Sequence, residues 1–431
     1  MKDRAAELRA TQAAQRLLGK KRKAVGAPGW ERVARELLLV DDRSAAAAAL
    51  DRCDLALASK ARPDVQRRSS WMRSWTSPPV PDPDVNDATS GDERLVIGVI
   101  DYESPDRSVR SKNIGDYVQT LASVGHLARH RNIRFAGESP LAGFLRQLQQ
   151  RVPEHYQVSG PQREVVLTRV FRDASGYQVI PDGTYTLVFG WFMRRLFDKR
   201  LDFPLHRGVR PIFMSFHVHE QSMLTSAAIE YLKAWGPVGC RDIATLRLLS
   251  GHGVPAFFSG CLTTTIDMTF PVLSQKELPA RATRIYVDAP RRPGDPPGDR
   301  AGHRDLGVLG RSLADNLDVS ASLLDHYRRC YRSMTTARLH AYLPASSLGM
   351  DTTFRPRYPD DPRFTGLAPL SSKELSEMRQ DISGQLNAVY SALLRGDSHA
   401  SIRRTWNDAV APAVAQSEEL LSRFAMQYGS Q

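Results

Sequence analysis

The feature that most constrains the fold of this chain is an uncharged run of six residues, Leu95–Ile100. A run of this kind, without alternating polar residues, is typical of a strand buried on both faces of a parallel sheet. Strand-like and helix-like segments then alternate as far as residue 261. This alternation predicts a doubly wound α/β domain. The strand candidates are Glu164–Phe171, Tyr185–Gly190, Pro211–His217, Pro237–Arg241 and Ala256–Cys261, and the helix candidates lie near 115–129, 139–151, 222–235 and 242–251.

A second, smaller α/β unit is indicated farther along the chain. Arg284–Ala289 has the pattern of a new strand, a stretch rich in proline, glycine and arginine follows at 290–299, and a helix pattern returns at Ser320–Tyr331. Two amphipathic helix patterns in 372–420 are expected to pack back across the first domain. The predicted domains are a basic helical arm with a proline-rich linker at 1–90, an N-terminal α/β domain at 91–281, a small C-terminal α/β domain at 282–371, and C-terminal helices at 372–431.

The net charge of +12 is concentrated near the N-terminus. Residues 1–75 hold 17 Lys and Arg against 9 Asp and Glu, a surplus of +8 that includes the cluster Lys20–Lys23. Such an arm is suited to an anionic membrane surface or to nucleic acid, and its alternative is a solvated helical face. The other 356 residues carry only +4, so we expect no nucleic-acid binding by the core. Ser77–Pro83 is read as an extended linker because adjacent prolines exclude helix.

The chain has the composition of a cytoplasmic protein. No run of eighteen uncharged apolar residues is present, so we expect no transmembrane helix. The sequence begins with Met1-Lys2-Asp3-Arg4 and lacks the apolar core of an export signal. We therefore expect a cytoplasmic location, with peripheral contact at the inner membrane face if the arm binds lipid. The four cysteines lack CxxC spacing and fit reduced thiols; they are Cys53, Cys240, Cys261 and Cys330.

Several polar groups stand where strand patterns give way to helix patterns, which is the edge of a parallel sheet where ligands bind. Asn113 or Asp116 can cap the first long helix, and Gly115 allows close approach of a ligand to the backbone. Capping alone and substrate binding both remain open there. His217 and His219 share one face of a strand, but no third ligand stands at recognisable spacing, so we expect no metal. For His217, structural burial, acceptor binding and acid–base work remain open.

Two arginines and a histidine point to an anionic ligand. Arg241 closes a strand just before a helix and is placed to clamp an anion. Arg338 and His340 are two residues apart at another helix start, where free N–H groups and the helix dipole favour negative charge. Because histidine can move a proton near neutral pH, we expect an anionic substrate and a proton transfer. The alternative is a surface arginine beside a buried histidine. Cys261 is expected to be a small buried residue rather than a nucleophile.

Taken in order, these segments resemble the polysaccharide pyruvyl transferase family over about 95–370. The resemblance implies a two-domain GT-B-like architecture with the active site in the cleft. It also implies transfer of the enolpyruvyl group of phosphoenolpyruvate to a sugar as a ketal, without a metal or nucleotide cofactor. The matching segments are NIGDYVQTLA (113–122), LVFGWFM (187–193), SFHVHEQ (215–221), GPVGCRDIATLRLLSGHGVPAFFSGCLTTTI (236–266), ARLHAYLPASSLG (337–349) and DPRFTGL (361–367).

The resemblance also implies roles for individual residues. Arg241 and Arg338, with Leu339 beside them, match the donor site and would hold the phosphate and carboxylate of phosphoenolpyruvate. His340 matches the acid–base group. Asn113, Asp116 and His217 are the expected acceptor residues, and Arg355 and Arg357 are further donor candidates. The expected acceptor is a saccharide or a lipid-linked glycan of the cell surface.

Two other functions remain open from the sequence. A glycosyltransferase of the same fold would bind a nucleotide sugar tightly, although the chain shows no nucleotide-phosphate loop. A non-catalytic glycan-binding protein would tolerate loss of His340 with little effect. The oligomeric state does not follow from the sequence.

Overall fold

The structure is a computed structural model, and it describes residues 25–39, 42–76, 94–104, 110–192, 203–219, 221, 224–274, 277, 283–304 and 306–428. The basic cluster Lys20–Lys23 and the proline-rich segment Ser77–Pro83 lie outside these ranges. The described residues form two parallel sheets with helices around them, in a mixed α/β architecture.

The first sheet has seven strands in the order β2-β3-β1-β4-β5-β6-β7, and every pairing is parallel. The strand predictions for this region are confirmed to within a few residues. The short β2 was not predicted, because three residues give no recognisable pattern. The strands are β1 (Leu95–Asp101), β2 (Ile133–Phe135), β3 (Arg163–Phe171), β4 (Thr184–Trp191), β5 (Val209–His217), β6 (Val238–Cys240) and β7 (Ala256–Phe258).

The predicted Ala256–Cys261 strand ends three residues early. Gly260 has a φ of +72°, a left-handed conformation that turns the chain out of the sheet. A 3₁₀ turn over Leu262–Met268 follows, and all of its residues are buried. The segment therefore leaves the strand for the interior of the protein rather than continuing along the sheet.

Four of the helices that the structure describes belong to the region of the first sheet. α4 is buried along nearly its whole length, since it packs on the first sheet and also contacts the helices of the second unit. An apolar helix without a polar face is expected in such a position. The helices are α4 (Ile114–Ala128), α5 (Pro140–Arg151), α6 (Ser226–Trp235) and α7 (Ile243–Gly251).

The second sheet has four parallel strands in the order β11-β10-β8-β9. Its helix α8 begins seven residues before the predicted Ser320, because Ser312 and Asp315 form a capping box that the apolar pattern did not reveal. The elements are β8 (Arg284–Val287), β9 (Asp299–Ala301), α8 (Leu313–Cys330), β10 (Ser333–Thr336), α9 (Leu339–Ser347) and β11 (Asp351–Phe354).

The N-terminal helices form a packed unit and not a free arm. α1 (Ala27–Leu39), α2 (Arg43–Ser59) and α3 (Pro63–Thr76) enclose an apolar core of their own, which rests against the segment following β3 at Ala174 and Tyr177. Part of the positive charge here is paired, as in the contact of 2.8 Å between Arg68 and Glu31. Residues 27–76 are therefore helical as predicted, but apolar burial holds them on the α/β body.

The C-terminal helices α10 (Ser372–Arg395) and α11 (His399–Tyr428) pack against each other; α11 lies on β7 of the first sheet, and α10 contacts α4 and the 3₁₀ turn at Leu262–Met268. The Ser417 hydroxyl accepts a hydrogen bond of 2.9 Å from the backbone N–H of Phe258 in β7. The Arg403 guanidinium donates to the carbonyl oxygens of Trp235 and Gly236 at 2.8 and 2.6 Å. Among the helices that the structure describes, none is long and apolar enough to cross a membrane.

Candidate active site

A cavity of about 350 Å³ lies where the carboxyl ends of the two sheets face each other. In its wall, Trp191 ends β4, Arg241 directly follows β6, and His303 and Arg338 each follow a strand of the second sheet by two residues, while other lining residues stand at the start of α4. Ligands of open parallel sheets bind at such strand ends. Six predicted site residues meet in its wall: Asn113, Asp116, Arg241, Arg338, Leu339 and His340.

The start of α9 presents an open helix end to this cavity. Arg338 is the N-cap residue, and no side chain caps the helix there. The first N–H groups of a helix have no partner within it, so they favour an anion. His340 interrupts the regular backbone with φ −84° and ψ 21°. Its Nε2 atom is buried without a hydrogen-bond partner. Burial, followed by the neighbouring Arg241 guanidinium, holds the pKa of His340 well below its usual value, so the free protein carries it neutral.

Arg338 is held in place by a carboxylate from the neighbouring strand. Its Nε donates a hydrogen bond of 2.7 Å to Oδ2 of Asp288, which directly follows β8. Asp288 has a φ of +49°, a conformation that Asp and Asn tolerate better than other non-glycine residues. The same oxygen accepts a bond of 3.2 Å from the backbone N–H of His303. The Asp288 carboxylate thus fixes the orientation of the Arg338 guanidinium through its Nε atom.

Arg241 is supported by a buried pair of side chains beneath it. Asp242 caps α7 through the backbone N–H of Thr245 at 2.9 Å, and its Oδ2 lies 2.6 Å from Nδ1 of His217 and 3.4 Å from Nε of Arg241. Burial opposes ionisation of Asp242, but the hydrogen bond from His217 and the nearby positive charge outweigh it and lower its pKa. Burial and Arg241 lower the pKa of His217 to about 4. A neutral His217 therefore donates from Nδ1 to the carboxylate.

His217 does not reach the cavity wall. Its ring is 1% exposed and packs edge-on against Trp191, which does line the cavity, with ring centroids 5.5 Å apart. The ring lies there because its Nδ1 atom is hydrogen-bonded to the buried Asp242 carboxylate. Acceptor contact by His217 stays a prediction, and the geometry gives it the more immediate role of holding Asp242 and, through it, Arg241.

The start of α4 combines capping with closeness to the catalytic histidine candidate. The Asn113 side chain accepts from the backbone N–H of Gly115 at 3.2 Å, and the Asp116 carboxylate accepts from the Ser111 hydroxyl at 2.5 Å. A methyl group built on Gly115 would lie 3.1 Å from Cβ of His340, a tight contact that an added side chain could make only if His340 shifted by a few tenths of an ångström. Capping and a place in the cavity wall are both present, and the two alternatives were not exclusive.

A backbone hydrogen bond joins the two units at the cavity. The N–H of Ile114 donates to the carbonyl oxygen of His303 at 3.1 Å. Ile114 begins α4 over the first sheet, and His303 follows β9 of the second sheet by two residues. The segment that carries Asn113 and Asp116 is thereby joined directly to the segment that carries His303.

Sequence reasoning assigned no role to six further residues of the wall that carry polar or aromatic side chains. Arg363 and Trp191 fell inside quoted segments; the Arg363 guanidinium lies 4.8 Å from the Trp191 ring centroid and pairs with Asp361. His303 and Arg304 gave no signal, since β9 is short and lies beside an irregular stretch. The six residues are Gln119, Trp191, His303, Arg304, Arg363 and Phe364.

Arg355 and Arg357 lie away from the lining of the cavity. The Arg355 guanidinium makes two hydrogen bonds to the Asp295 carboxylate, at 2.7 and 2.8 Å. Arg357 lies over the ring of Tyr358, 5.4 Å from its centroid. Cys261 is fully buried, and burial raises the pKa of its thiol, which disfavours the thiolate.

The cavity has the charge and hydrogen-bonding character of an anion site. Among the described residues that line it, four are arginines and one is a carboxylate: Arg241, Arg304, Arg338, Arg363 and Asp116. Within the described part of the chain, no group of three or more His, Cys, Asp or Glu side chains is arranged to hold a metal. No protein-family model matches the chain, and comparisons with curated proteins and with solved structures return no match.

Proposed function

We propose that this protein transfers the enolpyruvyl group of phosphoenolpyruvate to a sugar as a pyruvate ketal, with release of phosphate. The observation that carries the proposal is the meeting of Arg241, Arg338 and His340 in one cavity with an excess of positive charge. Phosphoenolpyruvate carries a phosphate and a carboxylate a few ångströms apart. Two guanidinium groups fixed on different sheets, and an uncapped helix end, match those two anions.

The proposed architecture is GT-B-like, with the donor in the cleft between the two parallel sheets. Arg338 and Arg241 hold the phosphate and carboxylate, with Leu339 beside them, and Asp288 and Asp242 orient the two guanidinium groups from behind. Binding the trianionic donor offsets the positive charge around His340. The pKa of His340 then rises, so the imidazole takes up the proton that the first step requires.

The reaction begins with transfer of this proton from His340 to the methylene carbon of the donor. The resulting oxocarbenium-like centre is attacked by a sugar hydroxyl, whose proton returns to His340. A second hydroxyl of the same sugar then displaces phosphate and closes the ketal. General acid catalysis typically contributes about 10²–10⁴-fold, and fixed cations at the leaving phosphate supply electrostatic stabilisation. These steps require no metal or nucleotide cofactor.

The acceptor side of the cavity is formed by Asn113, Asp116, Trp191 and Arg363 in this proposal. An indole beside carboxylate and amide groups suits a saccharide, whose ring faces are apolar and whose hydroxyls hydrogen-bond. We propose a saccharide or lipid-linked glycan of the cell surface as acceptor and a cytoplasmic location for the enzyme. Residues 1–24, with the Lys20–Lys23 cluster, would provide contact with an anionic inner membrane face.

The test is phosphate release from phosphoenolpyruvate over a panel of saccharide and lipid-linked acceptors. Wild type should turn over with at least one acceptor, and His340→Ala and Arg338→Ala should each lose about 10²-fold or more. Arg355→Ala is the matched control, because it removes an equally well-paired arginine of the second sheet from outside the cavity. No turnover with any acceptor, together with tight binding of a nucleotide sugar, would replace this proposal with glycosyl transfer. Equal binding of a glycan by wild type and His340→Ala, without turnover, would indicate a non-catalytic glycan-binding protein.

A further inference from the structure

His303 is the buried histidine of the cavity to which the proposed roles assign no task. It is 1% exposed, and neither Nδ1 nor Nε2 has a hydrogen-bond partner. A buried polar atom left without a partner carries a free-energy cost, and the His303 ring has two such atoms. An apolar side chain of similar size would avoid that cost. His303 is one of the residues that line the cavity, so a bound ligand is the partner that would satisfy its ring nitrogens.

The position of this ring is fixed by its own backbone and by one aromatic neighbour. The backbone N–H of His303 donates to Asp288 at 3.2 Å, and its carbonyl accepts from Ile114 at 3.1 Å. The ring lies parallel to that of Tyr327, with an interplanar angle of 7° and centroids 6.2 Å apart. None of these contacts uses the ring nitrogens, so both are buried without a hydrogen-bond partner.

The proposed reaction moves two protons, and one histidine accounts for only one of them. Two sugar hydroxyls each lose a proton as two C–O bonds form to the same carbon. The C=C electron pair becomes a C–H bond of the new methyl group and takes up one proton. The C–O bond to phosphate breaks with its electron pair on the phosphate oxygen, and the departing phosphate takes up the other. Atoms and charge balance without any oxidant, reductant or further reactant.

We propose that His303 is the second proton-transfer residue, which takes the proton of the second hydroxyl and delivers it to the leaving phosphate. This inference rests on the proposed function and adds a catalytic residue to it. His340 carries the first proton, from the first hydroxyl to the methyl group. Each imidazole then returns to its starting state after its own bond-forming step.

The charged neighbours of the two rings support this division. Burial is the largest effect on His303 and lowers the pKa of its ring to about 4. Of its two charged neighbours, Asp288 raises this pKa and Arg338 lowers it. A neutral His303 next to the guanidinium proposed to hold phosphate is ready to accept a proton and pass it to that phosphate. His340 is instead surrounded by Arg241 and Arg363, with the His217 and His303 rings also acting on it. In this assignment the phosphate of the donor is held at Arg338 beside His303, and the methylene carbon that takes up the first proton lies beside His340.

The experiment separates the two steps with His303→Ala and His340→Ala in D₂O. When the first step reverses after rotation of the new methyl group, deuterium enters the vinylic carbon of recovered phosphoenolpyruvate. We expect His303→Ala to keep this exchange in the presence of acceptor while phosphate release falls about 10²–10⁴-fold. His340→Ala should lose both. Circular dichroism and the thermal midpoint of each variant establish that it is folded.

Chemical rescue distinguishes proton transfer from mere filling of space. The alanine variant leaves a cavity in which free imidazole should restore phosphate release, whereas pyrazole, of the same ring size but much weaker as a base, should not. Three results for a folded His303→Ala protein would overturn the assignment while leaving pyruvyl transfer intact. They are equal rescue by imidazole and pyrazole, unchanged phosphate release, and loss of both deuterium exchange and phosphate release. If wild type releases no phosphate from phosphoenolpyruvate with any acceptor, the proposed function fails and this inference fails with it.

Discussion

The ion pair behind Arg338 gives the sharpest quantitative prediction. Asp288→Asn keeps a side chain that tolerates the φ of +49° and keeps an oxygen that can accept from Nε of Arg338. Only the negative charge is lost. Because the backbone conformation is preserved, a change in activity reports on the orientation of Arg338 and not on unfolding.

The magnitude follows from the geometry of the pair. A hydrogen bond to a charged group contributes about 1.5–3 kcal/mol, and a charge-assisted bond is roughly twice as strong as a neutral one. Replacing the carboxylate by an amide should therefore cost about half, ~0.8–1.5 kcal/mol. The side chains of Arg338 and Asp288 are 30% and 19% exposed, so screening by water favours the lower part of that range. At about 1.4 kcal/mol for each factor of ten, kcat/KM should fall about four- to tenfold.

The assay is phosphate release at varied phosphoenolpyruvate, with the dissociation constant of the donor measured by calorimetry. Most of the loss should appear in donor binding, because Arg338 is proposed to hold an anion already present in the ground state. Asp295→Asn is the matched control, since Asp295 makes an equally short pair with Arg355 outside the cavity. An unchanged kcat/KM in Asp288→Asn, or an equal loss in Asp295→Asn, would refute the argument that Asp288 orients a donor-binding arginine.

Three further predictions follow from other features of the structure. Burial lowers the pKa of His126 to about 3 and of His130 to about 4. Between about pH 6.5 and pH 4 the unfolded chain therefore binds protons at these two histidines that the folded protein does not bind, so the free energy of unfolding should fall as the pH falls. Urea titrations should show a loss approaching ~1.4 kcal/mol per pH unit for each such histidine, and His126→Gln should flatten the slope; an unchanged slope would contradict this. Gly115→Ala should lower turnover more than stability, since the added methyl group presses on His340; thermal unfolding beside phosphate release checks this, and wild-type turnover would count against it. Deleting residues 1–24 should abolish binding to anionic vesicles and leave soluble turnover intact, and vesicle binding by the truncated protein would end the membrane proposal.

The sequence was most informative where a segment is long and mainly apolar. Strands β1, β3, β4 and β5 were predicted because a buried parallel strand needs a continuous apolar run. The three-residue strands β2 and β9 could not be predicted, because they are defined by pairing with a neighbouring strand and not by their composition. The packed N-terminal unit left a signal that was not used: Trp71 and Trp75 lie one helical turn apart and are both buried.

For the candidate site, prediction succeeded where a residue directly follows a strand or begins a helix. Arg241 and Arg338 stand at such positions, and sheet geometry alone brings their strand ends toward the cleft. His303 and Arg363 belong to irregular segments, whose place depends on contacts between distant parts of the chain. No local periodicity encodes such contacts. The resemblance that organised the sequence argument named the donor residues and gave no role to His303, which only the assembled cavity reveals.

The hydrogen bond between the N–H of Ile114 and the carbonyl of His303 has an evolutionary consequence. Both atoms belong to the main chain, so no side-chain replacement at either position removes them, apart from proline at 114. Substitutions around the cleft can therefore alter which ligand binds there while the separation of the two sheets at this point is retained. Selection for a new ligand is free to act on the lining residues without first changing the backbone contact that joins the two sheets.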